Sequence, residues 1–467
     1  MANNYDAIIV GAGMSGLAAG IRLAMFNKKV VILEQHAIAG GLNSYYSRRI
    51  KSTKEIIHFD VGLHALTNFA KRGERGKPLT KLLKQLRFAY TDFNLKEQSH
   101  SVIKFASAEL KFSNDFDLLR SEVAAVFPTE IDNFDKFVKH VLSYNELDLS
   151  ASYIPSRSVL DKFFYEPLLR EMIIAPLLIY GSAWENDMDF SQFVIMFKAL
   201  YCEGFSRPVG GVRTIISLLE ERFISLGGEL RYRSSVENIL TAPNKKVAGV
   251  RLKKGEELFS EKVFSSVGLP ETMSLTDNDD SSADIGNLSF TESILVTKDK
   301  SFLKENDATI IFYNKSDEYL YQKSASYADL SSAVFCMPDN YERDDLTGKG
   351  HIRVTNMANF SLWDNLERED YLVEKNKILS DAIELSGNLL NHSIEPIFTD
   401  IFTPKTVKKY TRHFNGTVYG STTKLKDGLT EIDGLYIIGT DQGFLGIVGA
   451  ILSGISMANL HGLMEVR

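Results

Sequence analysis

Cysteine is almost absent from this chain: Cys202 and Cys336 are the only two in 467 residues. Two thiols so far apart make neither a disulfide framework nor a zinc site, and they fit a reducing compartment. The nine histidines show no metal-ligand spacing such as His-x-x-x-His, so a metal centre is not expected. Excess positive charge is missing as well. Lys and Arg total 53 against 60 acids, a net charge of −7, which argues against nucleic acid as the main partner. No run approaches the ~18 apolar residues of a membrane span. Met1 to Asp6 is polar and the apolar run after it ends in glycines, so no signal peptide is expected. Repeats and low-complexity tracts are lacking too. The expectation is a cytoplasmic protein, soluble or peripheral on a membrane. The composition is ordinary for a folded protein, with 44% hydrophobic and 24% charged residues. The length excludes a single small core and calls for two domains.

The N-terminus carries the strongest signal. Ala7 to Val10 is a short apolar run suited to a buried parallel strand. Gly11-Ala12-Gly13-Met14-Ser15-Gly16 follows and opens an apolar helix. Gly11 permits a tight turn, Gly13 lets the backbone approach a pyrophosphate, and Gly16 lets the helix pack close to the strand. The helix N-terminus offers free N–H groups and a positive dipole end to the anion. Lys28 to Leu33 is a second strand closed by Glu34. That acid stands near the ~20-residue distance of a carboxylate that accepts ribose hydroxyls. Strand, turn, helix, second strand and acid together predict a dinucleotide site.

Two further stretches point to FAD rather than a nicotinamide. A second glycine pair, Gly40-Gly41, follows the second strand, where an FAD site runs its backbone along the pyrophosphate. Near the C-terminus, Gly434 to Ile438 reads as a strand, followed by Gly439-Thr440-Asp441, then Gly443, Gly446 and Gly449, and an apolar helix from Ala450 to Leu460. An acid at such a strand end can accept ribityl hydroxyls. The following helix can stabilise negative charge on a reduced flavin.

These two ends, with Phe59-Asp60-Val61-Gly62, Arg207-Pro208-Val209-Gly210-Gly211-Val212 and Tyr419-Gly420, resemble the phytoene desaturase, carotenoid isomerase and retinol saturase group of FAD enzymes. The resemblance covers about half the chain. It is poor between about residues 70 and 200 and between 275 and 400. It implies that Gly11, Gly13, Ser15, Gly16, Glu34, Gly40 and Gly41 form the ADP side and that the backbone of Val236 meets the adenine. It implies that Gly439, Asp441, Ile447 and Val448 serve the flavin and ribityl. The chain departs from the group at Leu42-Asn43, Gly62-Leu63-His64 and Gln442-Gly443-Phe444-Leu445-Gly446. The implied fold is α/β: a Rossmann-like FAD-binding domain of the glutathione-reductase and amine-oxidase type, with a discontinuous mixed α+β substrate domain.

The flavin domain would comprise residues 1–70, 205–270 and 405–467. Within its middle block Gly210 to Leu226 reads as a helix ended by Gly227-Gly228. Short strands follow at Glu229–Tyr232, Val236–Leu240, Val247–Leu252 and Val263–Val267. Residues 71–204 and 271–404 would form the substrate domain. Asp277 to Ser282 is a polar loop at one junction. Large apolar residues crowd Phe163 to Tyr180 and recur from Phe190 to Phe205. They suit a helical core, the lining of a long apolar substrate tunnel, or a surface that dips into lipid. Lys71 to Arg87 interleaves seven cations with Leu79, Leu82, Leu83 and Leu86. That pattern suits either a solvated helix face or an anionic membrane surface.

The resemblance implies a hydrophobic small-molecule substrate, a long isoprenoid or polyene of the carotenoid or retinoid type. It would be desaturated, saturated or isomerised without net redox change. His64 is the candidate proton-transfer group, because it follows the element that should run near the flavin and imidazole titrates near neutral pH. A packing histidine bound to backbone is the structural alternative. Asp60 suits a turn cap, and Tyr419 and His413 are secondary candidates. The residues name no electron acceptor. Two other functions stay open on the same fold. One is a flavin amine oxidase, whose aromatic cage would call on Tyr410 and Tyr419. The other is a prenyl-lipid escort protein of the Rab GDP-dissociation-inhibitor kind, whose phosphate turn is degraded where this chain keeps Gly11, Gly13, Gly16 and Glu34.

Overall fold

Strand β1, Ala7–Val10, and strand β2, Val30–Leu33, are wholly apolar and wholly buried. Strands covered on both faces must be so. In the computed structural model, which describes residues 4–50, 54–276, 285–342 and 348–464, they lie at the middle of a five-stranded parallel sheet. Its order is Leu435–Ile437, Val263–Ser265, β1, β2, Glu229–Arg231. Helix α1, Met14–Ala24, connects β1 to β2 and is buried along nearly all its length. Small residues make that burial feasible. A Cβ on Gly20 would sit 2.7 Å from Ile32 Cδ1 on the sheet side. A Cβ on Gly454, in the helix Gly446–Met457, would sit 2.1 Å from the Ser15 carbonyl on the other. The chain's last helix is thereby pressed onto its first.

The second unit is a seven-stranded mixed sheet ordered Pro396–Phe402, Ser289–Thr297, Gly350–Ala358, Ser332–Cys336, Ile310–Asn314, Ser101–Lys104, Glu109–Phe112. Alternation along each strand divides the side chains between two cores. Ile310 and Phe312 face a layer of helices from residues 116–202, whereas Ile311 faces the long helix Arg368–Leu390. The helix Pro167–Gly181 lies in the first of these cores, with Leu169, Met172, Ile173, Ile174, Leu177 and Leu178 fully buried. Most of the Phe163–Phe205 apolar cluster is therefore core. Tyr165, 87% exposed, is its one strongly exposed aromatic, and the lipid-dipping alternative fails for the rest.

The structure bears on two further expectations. Leu79, Leu82, Leu83 and Leu86, on the helix Pro78–Leu86, are buried against α1 and the Gly446–Met457 helix. Six of the seven cations of that stretch and Glu74 face water, Lys77 is half-buried, and no leucine is available for lipid. The sequence suggests no span-length apolar segment, yet helical structure continues from Gly446 to Leu463, long and apolar enough to cross a membrane by length and composition. It is instead a core helix: Ile447, Val448, Ile451 and Ile455 pack in the same cluster as α1. The Asp277–Ser282 loop lies outside the described residues.

Candidate functional site

The C-terminal ends of β1 and β2 meet at the glycine turn. Gly11 takes φ +93°, and its N–H donates to the Leu33 carbonyl at 2.9 Å. Glu34, buried at the end of β2, accepts from the N–H of Ala12 at 2.9 Å and of His36 at 2.8 Å. The Gly40 N–H donates to the Ala12 carbonyl at 2.9 Å, so the second glycine pair is laced to the first turn. Gly40 itself sits at φ +111°. Ser234 donates its N–H to the Glu34 carbonyl at 2.8 Å, which brings buried Val236 to the β2 end of the sheet.

The C-terminal turn arrives at the same place. A Cβ on Gly16 would lie 2.1 Å from the Gly11 carbonyl, and one on Gly439 would lie 2.8 Å from Ser15 Oγ. Ser15 is therefore where the two ends of the chain touch. Ile447 and Val448 turn their side chains into the core and can offer only backbone at the helix start. No side chain caps either α1 or the Gly446–Met457 helix. Gly41, Gly62 and Gly446 are exposed, although Ala39, Leu63, Leu445 and Ile447 beside them are buried. A Cβ on Gly41 would be 3.7 Å from Gly13 Cα, and one on Gly446 would be 3.2 Å from Thr67 Oγ1. The result is a strip of open backbone, flanked by two uncapped helix starts. Such a surface fits an anionic, flat-ringed dinucleotide, which needs close backbone approach and N–H donors.

Asp441, expected to reach a ribityl chain, also holds its own turn together. Its carboxylate accepts from Leu269 N at 2.6 Å, Ser421 N at 2.9 Å and Lys424 Nζ at 2.9 Å. Both members of the Lys424–Asp441 pair are almost wholly buried. The pair staples the Tyr419–Lys424 segment to the glycine turn.

His64 lies two residues past the exposed Gly62 and is enclosed by polar groups. Its Nε2 is 3.1 Å from Glu292 Oε2 and 3.1 Å from Thr355 Oγ1, and its Nδ1 is 3.3 Å from Tyr180 Oη. Glu292 is also paired with Arg353. Arg353 donates in turn to the Leu63 carbonyl at 2.8 Å. Burial alone would push the Glu292 carboxyl up, but Arg353 and His64 overcome it and hold it at about 2. Burial pushes the Cys336 thiol up to about 11 and the Tyr180 phenol well above its ordinary range. Asp60 accepts from Val212 N at 2.9 Å, the first residue of the helix Val212–Ser225, and pairs with Arg207. It is a cap, as the sequence suggests. Tyr419 donates to the Ile179 carbonyl at 2.7 Å, and His413 Nδ1 lies 2.8 Å from the Thr417 carbonyl, so both are engaged with the chain. Sequence reasoning missed Glu292, Arg353, Thr355 and the role of Tyr180. A partial signal existed: Glu292 and Arg353 each stand in a strand that holds no other acid, Lys or Arg, and such charges are rarely buried unless paired.

Glu292 carries a pH prediction. Its carboxyl is depressed from 4.5 to about 2. The stability this supplies, about 3 kcal/mol by linkage, is present above pH 4.5 and lost as pH falls toward 2. Acid titration of folding should show that loss in the wild type, whereas Glu292→Gln should be less stable at neutral pH and lose correspondingly less across the same window.

Comparison with known proteins now places the chain. Residues 9–86 match the model of an NAD(P)-binding Rossmann-like domain. Prolycopene isomerase 2, chloroplastic, of an Oncidium hybrid cultivar is 25% identical across 98% of this chain and 84% of its own length. All-trans-retinol 13,14-reductase of Danio rerio is 23% identical across 98% and 86%. Phytoene desaturase (lycopene-forming) of Pseudescherichia vulneris is 24% identical across 57% and 56%. The chain is thus similar along nearly its whole length to proteins named as carotenoid isomerases and retinol reductases, and along part of it to phytoene desaturases. Solved structures share the fold. An oxidoreductase from Methanosarcina mazei superposes with TM-score 0.67 at 16% identity, covering 97% of this chain and 99% of that one. A putrescine oxidase variant gives 0.63 at 14%, covering 98% of each. A Rab GDI from Plasmodium falciparum gives 0.56 at 15%, covering 100% of each.

Proposed function

We propose that this protein is an FAD-dependent oxidoreductase of the phytoene desaturase, carotenoid isomerase and retinol saturase kind, which acts on a long apolar isoprenoid or polyene by desaturation, saturation or redox-neutral isomerisation. The observation that carries the reading is the exposed glycine strip where both chain ends meet at Ser15. Gly11, Gly13, Ser15, Gly16, Glu34, Gly40, Gly41 and Val236 would hold the ADP half. Gly439, Ile447 and Val448 would offer backbone to the flavin half, with Asp441 fixing their turn. Bound FAD supplies hydride exchange with carbon. The chain supplies a shaped, largely apolar surround and, at His64, a group able to hold or move a proton. The division into a flavin domain (1–70, 205–270, 405–467) and a substrate domain (71–204, 271–404) belongs to the same proposal. So does contact with a membrane surface, which would be electrostatic, through the exposed cations Lys71, Arg72, Arg75, Lys81, Lys84 and Arg87.

The amine-oxidase alternative loses its cage. Tyr410 is half exposed beside His36 at the β2 end, whereas Tyr419 is packed edge-on to Phe290. The escort-protein alternative does not explain an intact phosphate turn. Flavin-loaded protein should convert at least one of a set of retinoids, carotenoids and their precursors presented in liposomes. Peroxide release on adding amines, with no isoprenoid converted under oxidising or reducing conditions, would overturn the substrate class.

A further inference from the structure

We infer that Tyr180, His64 and Glu292 form a proton relay, with Tyr180 at the end facing the reacting molecule and Glu292 as the buried anchor. The inference rests on the functional reading just given and adds the residues that would move its protons.

The wiring follows from donor and acceptor rules. The groups that face His64 are Glu292, Thr355 and Tyr180, while Arg207 and Cys336 reach its carbonyl and Arg353 stands behind Glu292. An ionised Glu292 only accepts. His64 Nε2 therefore carries the hydrogen and donates across 3.1 Å, as does the Thr355 hydroxyl at 3.1 Å. Nδ1 is left with a lone pair, and the neutral Tyr180 phenol donates to it across 3.3 Å. Arg353 completes the anchor by neutralising Glu292 and gripping the Val61 and Leu63 carbonyls on either side of Gly62.

The bookkeeping of the step is simple. A proton released by the substrate arrives at Tyr180 Oη as the phenol passes its own to Nδ1. The imidazolium keeps Nε2–H on Glu292, which meets its charge. Run backwards, the same chain delivers a proton. One proton enters, one settles on Nδ1, and nothing is oxidised or reduced.

Position places the open end at the site. Gly181, next to Tyr180, is so close to Leu445 that a Cβ would lie 2.6 Å from its Cδ1, and Thr67, three residues past His64, faces Gly446. Both limbs thus abut the C-terminal glycine turn. Tyr180 is partly buried, and its ring is walled by Phe205 and Phe312, with centroids at 5.8 and 5.2 Å. Those walls suit an apolar chain.

The test uses the full-length protein with 15N-labelled histidine. His64→Gln assigns the signal, and Tyr180→Phe and Glu292→Gln are compared with wild type where imidazole is neutral. The wild type should show His64 as the Nε2–H tautomer, Glu292→Gln should give a mixture of tautomers, and Tyr180→Phe should shift Nδ1. Turnover in flavin-loaded Tyr180→Phe should fall by about 10²-fold with a changed pH profile and an unchanged flavin spectrum. If Glu292→Gln does not fold, Tyr180→Phe, which removes one hydroxyl, decides. An Nδ1–H tautomer in the wild type, or wild-type rate and pH profile in Tyr180→Phe, overturns the relay and leaves the flavin reading standing. A wild type that binds no FAD overturns the flavin reading instead, and the tautomer still tests the wiring.

Discussion

Lys424→Met should destabilise the protein by about 3–5 kcal/mol and strip it of most of its flavin. Lys424 and Asp441 are 3% and 1% exposed at the side chain. Removing the ammonium leaves a carboxylate in a dry interior with only the Leu269 and Ser421 N–H groups for company. A carboxylate so placed must take up a proton or open the structure to water. Opening here means releasing the Tyr419–Lys424 segment from the turn at Gly439–Gly443, since Lys424 Nζ also holds the Tyr419 carbonyl at 2.6 Å. Chemical denaturation checks the energy, and flavin content checks the turn. Lys424→Met combined with Asp441→Asn should recover part of the loss, because the orphaned charge is gone. A single variant as stable as wild type would show that the pair does not staple the turn.

Gly16→Ala is the second large effect. The added methyl would stand 2.1 Å from the Gly11 carbonyl, and this neighbour is backbone, not a side chain that can swing away. The start of α1 must back off from the turn. Overpacking of this sort costs about 1–3 kcal/mol of stability, which a domain with this much buried sheet survives. On the proposed reading the binding loss is larger in proportion, because the helix start carries the N–H groups that would meet the pyrophosphate. FAD affinity should fall by at least about tenfold, or ~1.4 kcal/mol, in a protein that still folds. Gly255→Ala is the control: its φ is +83° but nothing lies within 4 Å of the added carbon. It should lose a little stability and keep its flavin.

The parallel sheet was readable because its signals are local. Ala7–Val10 is a strand over the residues the apolar pattern suggests, Val30–Leu33 lies within the expected Lys28–Leu33, and the expected helix at Gly210–Leu226 runs from Val212 to Ser225. Turn glycines carry their own reason, since only glycine fits so near a carbonyl. The His64 environment was not readable, because it is assembled from positions hundreds of residues apart. Glu292 meets Thr355 through strand register, and Tyr180 reaches them only when a helix is laid on the sheet. The basic-leucine stretch left two readings open for a related reason. Amphipathic spacing says that one face is buried, but not whether protein or lipid covers it. The Gly446–Leu463 helix shows the same ambiguity: its apolar length is that of a span, and only its docking on α1 reveals a core element.

The account stands on the two ends of the chain closing around a single dinucleotide. The most direct measurement is to purify the full-length protein, denature it, and identify and count the released cofactor against chains. The account predicts FAD, approaching a single molecule per chain, or full uptake when FAD is added to protein purified without it. A colourless protein that takes up no FAD on reconstitution, while remaining folded by circular dichroism, would contradict it.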